Sequence, residues 1–374
     1  MAYLILSCLC VNKFSCKFGK NKMSPLKKQL TDIRQLSITE LSEKLTTAGE
    51  AGYRAKQIYE WLWKKNAHTF ENMSNLPLAL RKWLEENFHL NPIKIHTKQL
   101  SSDGTLKLAF SLWDSHIIEG VLIPEKDRMT ACISSQAGCS LTCSFCATGY
   151  LKLKRNLNAG EMVDQVTFLN KEAQNEYGAT LTNIVFMGMG EPLLNYVNVT
   201  RAISMITSAE GLYMSSKRVT LSTAGIAKMI TRLADDKFRC KLAVSLHAAD
   251  DVKRSKIMPI NNSNSLKALS DALHHFCTWS DEKVTFEYIL LNNFNDSERD
   301  AELLLNFISP FPSKVNIIEY NPIKQFNGTK PSVEGTEKFM NFLFRRGVNV
   351  KIRRSRGKDI AAACGQLAGN YIKP

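Results

Sequence analysis

Gly138-Cys139-Ser140-Leu141-Thr142-Cys143-Ser144-Phe145-Cys146 sets three cysteines at a C-x3-C-x2-C spacing. The stretch offers three thiolates, whereas a structural zinc site takes four protein ligands in a closed tetrahedron. Iron–sulfur clusters are commonly held by cysteine thiolates, and three of them leave one iron of a cubane without a protein ligand. Such an iron is where a small chelating molecule binds and receives an electron. Ligand number and softness favour iron–sulfur over the other reading of these residues, a zinc knuckle with a distant fourth ligand.

Composition sets the surroundings. A chain of 374 residues is long enough for one large domain plus a smaller one, with a core that needs no disulfide support. Ten cysteines at irregular spacing in a chain this long fit a reducing cytosol better than a secreted disulfide scaffold. A net charge of +14 creates a field that attracts polyanions, nucleic acid being the commonest large one. A basic enzyme without such a partner has the same composition. The apolar run Tyr3–Val11 is too short to span a bilayer and lacks the flanks of a signal peptide. Met23-Ser24-Pro25 reads as a natural start, so residues 1–23 are expected to be a dispensable extension, with no role for Cys8, Cys10 or Cys16.

From Ile38 to Phe88 the period is helical, opening on a capping box with Ser37 as N-cap and Glu40 three positions on. Tyr53-Arg54-Ala55-Lys56-Gln57 sets basic residues beside an aromatic, a composition that suits RNA; Trp61 and Trp63 read as core. Ile93 to Ile123 alternates like strands about a turn at Ser102-Asp103-Gly104. Glu119 interrupts the apolar strand 116–123, either as a salt-bridged or edge carboxylate or as a catalytic one. Beyond Met129 strands and helices alternate. Strands are expected at Thr130–Ser134, Asn183–Met187, Arg218–Leu221, Lys241–Leu246, Val284–Leu290 and Lys314–Tyr320, with helices between, such as Gly160–Asn175 and Leu266–Cys277. The fold class is α/β, with a parallel sheet that is either open or curled into a partial barrel. A helix at Val333–Arg346 and a strand at Asn349–Arg353 lead into a cluster of Arg353, Arg354, Arg356 and Lys358, a solvated face or a phosphate contact.

Cys132 and Cys364, read alone, are packing cysteines more often than nucleophiles. The triplet spacing and Phe145, however, resemble the signature of radical S-adenosylmethionine (SAM) enzymes. Further stretches resemble the RlmN/Cfr family of radical SAM RNA methyltransferases: Phe186–Pro192, Ser222-Thr223-Ala224-Gly225, Ser245-Leu246-His247-Ala248, Tyr320-Asn321-Pro322, Arg353–Gly357 and Ala363-Cys364-Gly365-Gln366-Leu367. The likeness runs from about Ser37 to the C-terminus and implies a partial (βα)6 TIM-like barrel at 129–330. It is preceded by a helical RNA-binding accessory domain at 24–90 and a β extension at 91–128. A C-terminal segment at 331–374 carries the cysteine loop.

The resemblance also implies chemistry. Cys139, Cys143 and Cys146 hold a [4Fe-4S] cluster, and Gly190, Glu191, Ser222, Ser245, Leu246 (through its backbone), His247 and Asn321 meet SAM. Cys364 takes a methyl group from one SAM; a radical from a second activates that methyl, which adds to adenine and links the RNA to Cys364. Cys132 attacks the Cys364 sulfur, forming a transient disulfide and releasing product, while Glu119 or Cys132 takes the ring proton. The implied partners are 23S rRNA, tRNA and a reductase such as flavodoxin, in the cytoplasm and away from membranes. The implied product is adenine methylated at carbon 2, in ribosomal RNA at the peptidyl-transferase centre and in tRNA just 3' of the anticodon. The motifs are equally compatible with the Cfr-type reaction at carbon 8. A non-catalytic iron–sulfur RNA-binding protein is the reading from a different class, disfavoured by Cys132 and Cys364.

Overall fold

The structure is a computed structural model that describes residues 30–368; the expected extension with Cys8, Cys10 and Cys16 lies outside them. The described chain opens with β1 (Thr31–Asp32) and three helices, α1 (Ile38–Thr47), α2 (Tyr53–Trp63) and α3 (Leu78–Asn87). A short β2 (Phe88–His89) then pairs with β1. The capping box forms as the sequence requires, Glu40 N–H donating to Ser37 Oγ at 3.1 Å and Ser37 N–H to the Glu40 carboxylate at 2.7 Å. Trp63 is buried, while Trp61 is half-buried with Lys65 Nζ 4.1 Å from its ring centroid. Tyr53 stands 61% exposed with the Arg54 guanidinium over its ring.

Arg34 fastens this helical unit to the rest of the chain. Its Nη1 donates to both Asp164 carboxylate oxygens at 2.9 Å and its Nη2 to the Asn91 carbonyl at 2.8 Å. Removing one partner of a buried pair of this kind costs about 3–5 kcal/mol, because the other is left as an uncompensated charge. Gly160 permits the approach: a Cβ there would lie 2.5 Å from Arg34 Cζ.

Four strands follow in antiparallel succession, β3 (Lys94–Leu100), β4 (Leu106–Ser111), β5 (Ile117–Glu125) and β6 (Arg128–Cys132). The cluster-like cysteine loop then runs between two short strands, β7 (Gln136–Ala137) and β8 (Arg155–Asn156), which pair with each other. Helix α4 (Ala159–Tyr177) leads to β9 (Asn183–Phe186), and α5 (Tyr196–Thr207) to β10 (Val219–Thr223). Next come α6 (Ala227–Asp235), β11 (Lys241–Ser245), α7 (Asp251–Ile257), α8 (Leu266–Trp279) and β12 (Val284–Leu290). The series closes with α9 (Glu298–Ile308), β13 (Ser313–Glu319), α10 (Val333–Phe344) and β14 (Val350–Arg353).

One sheet takes up most strands, in the order β14-β13-β12-β11-β10-β9-β6-β5-β4-β3. From β6 to β14 every pairing is parallel. Helices cover the outer face, so strands such as β12 are buried along their whole length and read as near-continuous apolar runs. Residues at the ends of β9, β10, β11, β12, β13 and β14 line a single cleft, which requires the sheet to curl into an open-sided barrel. The expected strands and helices form with ends shifted by a residue or two. The expected run through Ser134, for example, ends at Cys132 in β6. The strand after the last helix joins the barrel as well, pairing Arg353 with Ile318. Among the described residues no helix is long and apolar enough to cross a membrane.

Candidate active site

The cleft lies at the C-terminal ends of the parallel strands. Cys139, Cys143 and Cys146 all face it, as do Gly190, Glu191, Ser222, Ser245, His247 and Cys364. Residues 225 positions apart in sequence, Cys139 and Cys364, thus share one wall space, because each follows or precedes a strand end of the same sheet. Burial pushes the Cys139 thiol up to about 12 and raises Cys143 and Cys146 as well, in each case helped by the neighbouring thiols. Three soft donors, half-buried and mutually repulsive as thiolates, are a set that a polynuclear cation stabilises. Among the described residues no group of three or more His, Cys, Asp or Glu side chains is placed to hold a lone metal ion. The donor set therefore fits an iron–sulfur cluster rather than zinc.

Glu191 follows Gly190, whose φ of +97° is a glycine conformation and whose position leaves no room for a Cβ, 2.5 Å from Gln136 Cβ. The Glu191 carboxylate accepts from Ala224 N–H at 2.7 Å and Leu193 N–H at 3.0 Å, and its own N–H donates to Gln136 Oε1 at 2.8 Å. Burial nevertheless pushes its carboxyl up to about 7, outweighing those amides. His247 sits in the left-handed region at φ +57° and its Nδ1 accepts from Ile289 N–H at 3.0 Å, which leaves the ring proton on Nε2. Burial, with Arg254 nearby, lowers it to about 3, so the imidazole is neutral. The Phe145 ring meets it edge-on, centroids 4.7 Å apart.

Cys132 is buried at the end of β6, and its thiol is pushed up to about 12 by burial and then by the Cys364 thiol, with Arg353 pulling the other way. Arg353 in turn is held more firmly protonated, chiefly by Cys364 and against its own burial. One guanidinium therefore serves both thiols. The loop carrying Cys364 is bonded along its length: Asn321 Nδ2 donates to the Cys364 carbonyl at 3.1 Å, Ala147 N–H to Gly365 O at 2.7 Å, and Thr148 Oγ1 to Leu367 O at 2.5 Å.

Glu119 is 2% exposed, ion-paired with Lys107 at 3.2 Å, and accepts from Ala368 N–H at 2.8 Å. It lies under the far end of the Cys364 loop rather than on the cleft wall, and of its two sequence readings the salt-bridged one has a partner here. Leu246 is fully buried, and its carbonyl accepts from Arg254 Nε at 3.1 Å and from Ala248 N–H at 2.7 Å, which turns it away from the cleft. Asn321 reaches the site through the Cys364 carbonyl. The basic cluster near the C-terminus does not form one face: Arg353 enters the cleft, Arg356 folds onto Asp103, and Lys358 pairs with Glu319 at 3.2 Å.

Several contributors escaped sequence reading. Arg254 is fully buried and donates to the carbonyls of Leu246 and Ala224 and to Asn261 Oδ1, joining the ends of β10 and β11. Asn295 Nδ2 donates to His247 O at 2.6 Å and Ile289 O at 2.7 Å, fixing the strained histidine. Glu287 faces the cleft with one carboxylate oxygen bonded to Asn316 and the other 3.7 Å from Arg353.

Comparison with known proteins agrees with this geometry. Residues 31–90 match the ribosomal RNA large subunit methyltransferase N-terminal domain, and residues 133–305 the radical SAM superfamily. The chain is 55% identical to the probable dual-specificity RNA methyltransferase RlmN of Cytophaga hutchinsonii, covering 91% of this chain and 93% of that protein. It is 41% identical to the dual-specificity RNA methyltransferase RlmN of Campylobacter jejuni, over 91% and 98% of the two chains. A crystal structure of a radical SAM methyltransferase from Sphaerobacter thermophilus superposes with a TM-score of 0.85 at 41% identity, over 91% of this chain and 100% of that one.

Proposed function

The chain belongs to the RlmN family of radical SAM RNA methyltransferases, and from that premise we propose that it methylates carbon 2 of an adenine in 23S rRNA and in tRNA, with Cys364 as the methyl carrier. The observation that carries this reading is that Cys364 lines the same cleft as the cysteine triplet, with the buried Cys132 close enough for the Cys364 thiol to raise its own. Members of the family work with a [4Fe-4S] cluster and SAM. Cys139, Cys143 and Cys146 would hold the cluster, leaving one iron for SAM, and together they supply an electron and a radical able to remove hydrogen from a methyl group.

The remaining work falls to the chain's own residues. Glu191, poised near neutrality by burial, becomes a firm anion once an ammonium group lies beside it, which suits it to hold the amino group of SAM. Neutral His247, Ser222 and Ser245 face the same space as hydrogen-bonding groups. Arg353 pulls the Cys132 thiol toward the thiolate, the nucleophilic form, against the burial that raises it. Cys364 accepts the first methyl by displacement at carbon. Cys132 later attacks the Cys364 sulfur: a sulfur–sulfur bond forms, the sulfur–carbon bond to the modified base breaks, and the electron pair leaves with carbon, which takes a proton from water to complete the methyl group. Glu119 or Cys132 takes the ring proton; Lys107 and the Ala368 amide hold the Glu119 carboxylate in place.

The field of a +14 chain and the exposed Tyr53–Arg54 pair on the helical unit support an RNA contact away from the cleft. Ribosomal and transfer RNA as substrates imply the cytoplasm, with a flavodoxin-like electron carrier. Anaerobic reconstitution with both RNAs, nuclease digestion and mass spectrometry tests the reading. The expected product is 2-methyladenosine; 8-methyladenosine would place the chain with Cfr-type chemistry instead. Cys132→Ala is expected to accumulate protein crosslinked to RNA through Cys364, and free product from that variant at the normal rate contradicts the route.

A further inference from the structure

β5 runs antiparallel to β6, with Val121 opposite Cys132, so the turn that precedes β5 stands at the same end of the sheet as Cys132 and the cleft. That turn carries Trp113, which is 60% exposed. A single exposed tryptophan is ordinary. This one is held. The guanidinium carbon of Arg155 lies 5.4 Å from its ring centroid, and Arg155 is itself fixed by Asp114 and by two bonds to Glu161 at 2.7 and 2.8 Å. Asp114 and Glu161 neutralise that arginine, so the local positive charge comes from the exposed Lys152 and Lys154, on the segment that links the cysteine triplet to β8.

An adenine whose ring must reach Cys364 has to leave its stack, and its neighbour in the strand loses a stacking partner on that side. A rigid exposed indole at the rim replaces it, because every base offers a π-face and stacking on an aromatic is tolerant of sequence. We propose that Trp113, backed by Arg155, is the stacking platform for the unpaired base next to the methylated adenosine, with Lys152 and Lys154 meeting the adjoining phosphates. The proposal rests on the RNA methyltransferase reading above and names a subsite for that substrate.

The test uses full-length, reconstituted protein and a fluorescein-labelled single-stranded RNA with one adenosine, in which neighbouring nucleotides are replaced one at a time by abasic ones. Trp113→Ala is expected to weaken binding of the intact RNA about tenfold and to raise KM with kcat nearly unchanged, while Trp113→Phe recovers most of the loss. At one neighbouring position the abasic change should cost the wild type a similar factor and cost Trp113→Ala nothing. Tyr213→Ala, a 78% exposed aromatic elsewhere, serves as the control without effect. Losses that add at every position overturn the proposal, as does unchanged RNA binding with slower reduction by flavodoxin, which would make the rim a protein-docking surface. Wild-type protein that binds and methylates no RNA overturns the substrate reading itself, and the platform with it.

Discussion

On one side of the cleft, Arg254, Asn295 and Gln136 tie strand ends to one another and to Glu191 and His247, so that the groups proposed to meet SAM are set by buried hydrogen bonds. On the other side Cys364 rides a loop tied by side chains at its flanks, where Asp359 accepts from Ser101 and Ser102, Asp103 from Gly357 N–H and Glu119 from Ala368 N–H, and by the backbone carbonyls of Cys364, Gly365 and Leu367 at its middle. The first wall has only to hold a ligand still. Under the proposed route the second has to present one sulfur in turn to a methyl donor, to a base and to Cys132. Holding the loop by its backbone while the Cys364 side chain faces the cleft meets that demand without loosening the core.

The sharpest break between the walls comes from the cysteines. Cys143→Ala is expected to lose iron after reconstitution and with it every activity, read by absorbance and by RNA methylation. Cys364→Ala should retain iron and SAM binding yet methylate nothing. Iron loss in Cys364→Ala would show that the two sides are one structural unit.

A middle-sized effect separates buried from peripheral anchors. Arg254→Met strips donors from the carbonyls of Leu246 and Ala224 and from Asn261, and is expected to cost about 3 kcal/mol by chemical denaturation. Asp359→Asn should leave the denaturation midpoint nearly unchanged but speed hydrogen exchange at Ala361 to Ala368. Equal midpoints for the two variants would erase the distinction.

The smallest effect depends on pH. His247 is depressed to about 3 in the folded chain from an ordinary 6.5. Between those values the unfolded chain binds a proton that the native one refuses, so stability falls as pH is lowered through that window. The slope of the denaturation free energy against pH should be shallower in His247→Gln, by at most one proton. An unchanged slope means the imidazole is already protonated in the fold.

What the sequence made legible was local or repeated. The Ser37 capping box and the turn at Ser102-Asp103-Gly104 depend on residues a few positions apart, and each forms as read; the cysteine spacing is equally local, and its three thiols face one cleft. Arg254 was invisible because it sits in Lys253-Arg254, a pair that looks solvated; only the fold shows that the arginine turns inward while Lys253 pairs with Asp300. Arg353 hid in the same way inside a basic run. Leu246 was expected at the cofactor through its backbone, and only the fold shows that its carbonyl also accepts from Arg254. Long-range partners such as Arg34 and Asp164 leave no trace in a spacing.

The seat of Cys364 is furnished by two segments far apart in the sequence. Asp359 and Gly357 bind the turn at Ser101–Asp103, and Arg356 donates to the Asp103 carbonyl at 2.7 Å. Under the proposed function, a polypeptide that stops at β13 holds the cysteine triplet, Cys132 and most of the barrel but lacks its methyl carrier. A fragment cut there would bind iron yet leave RNA unmethylated.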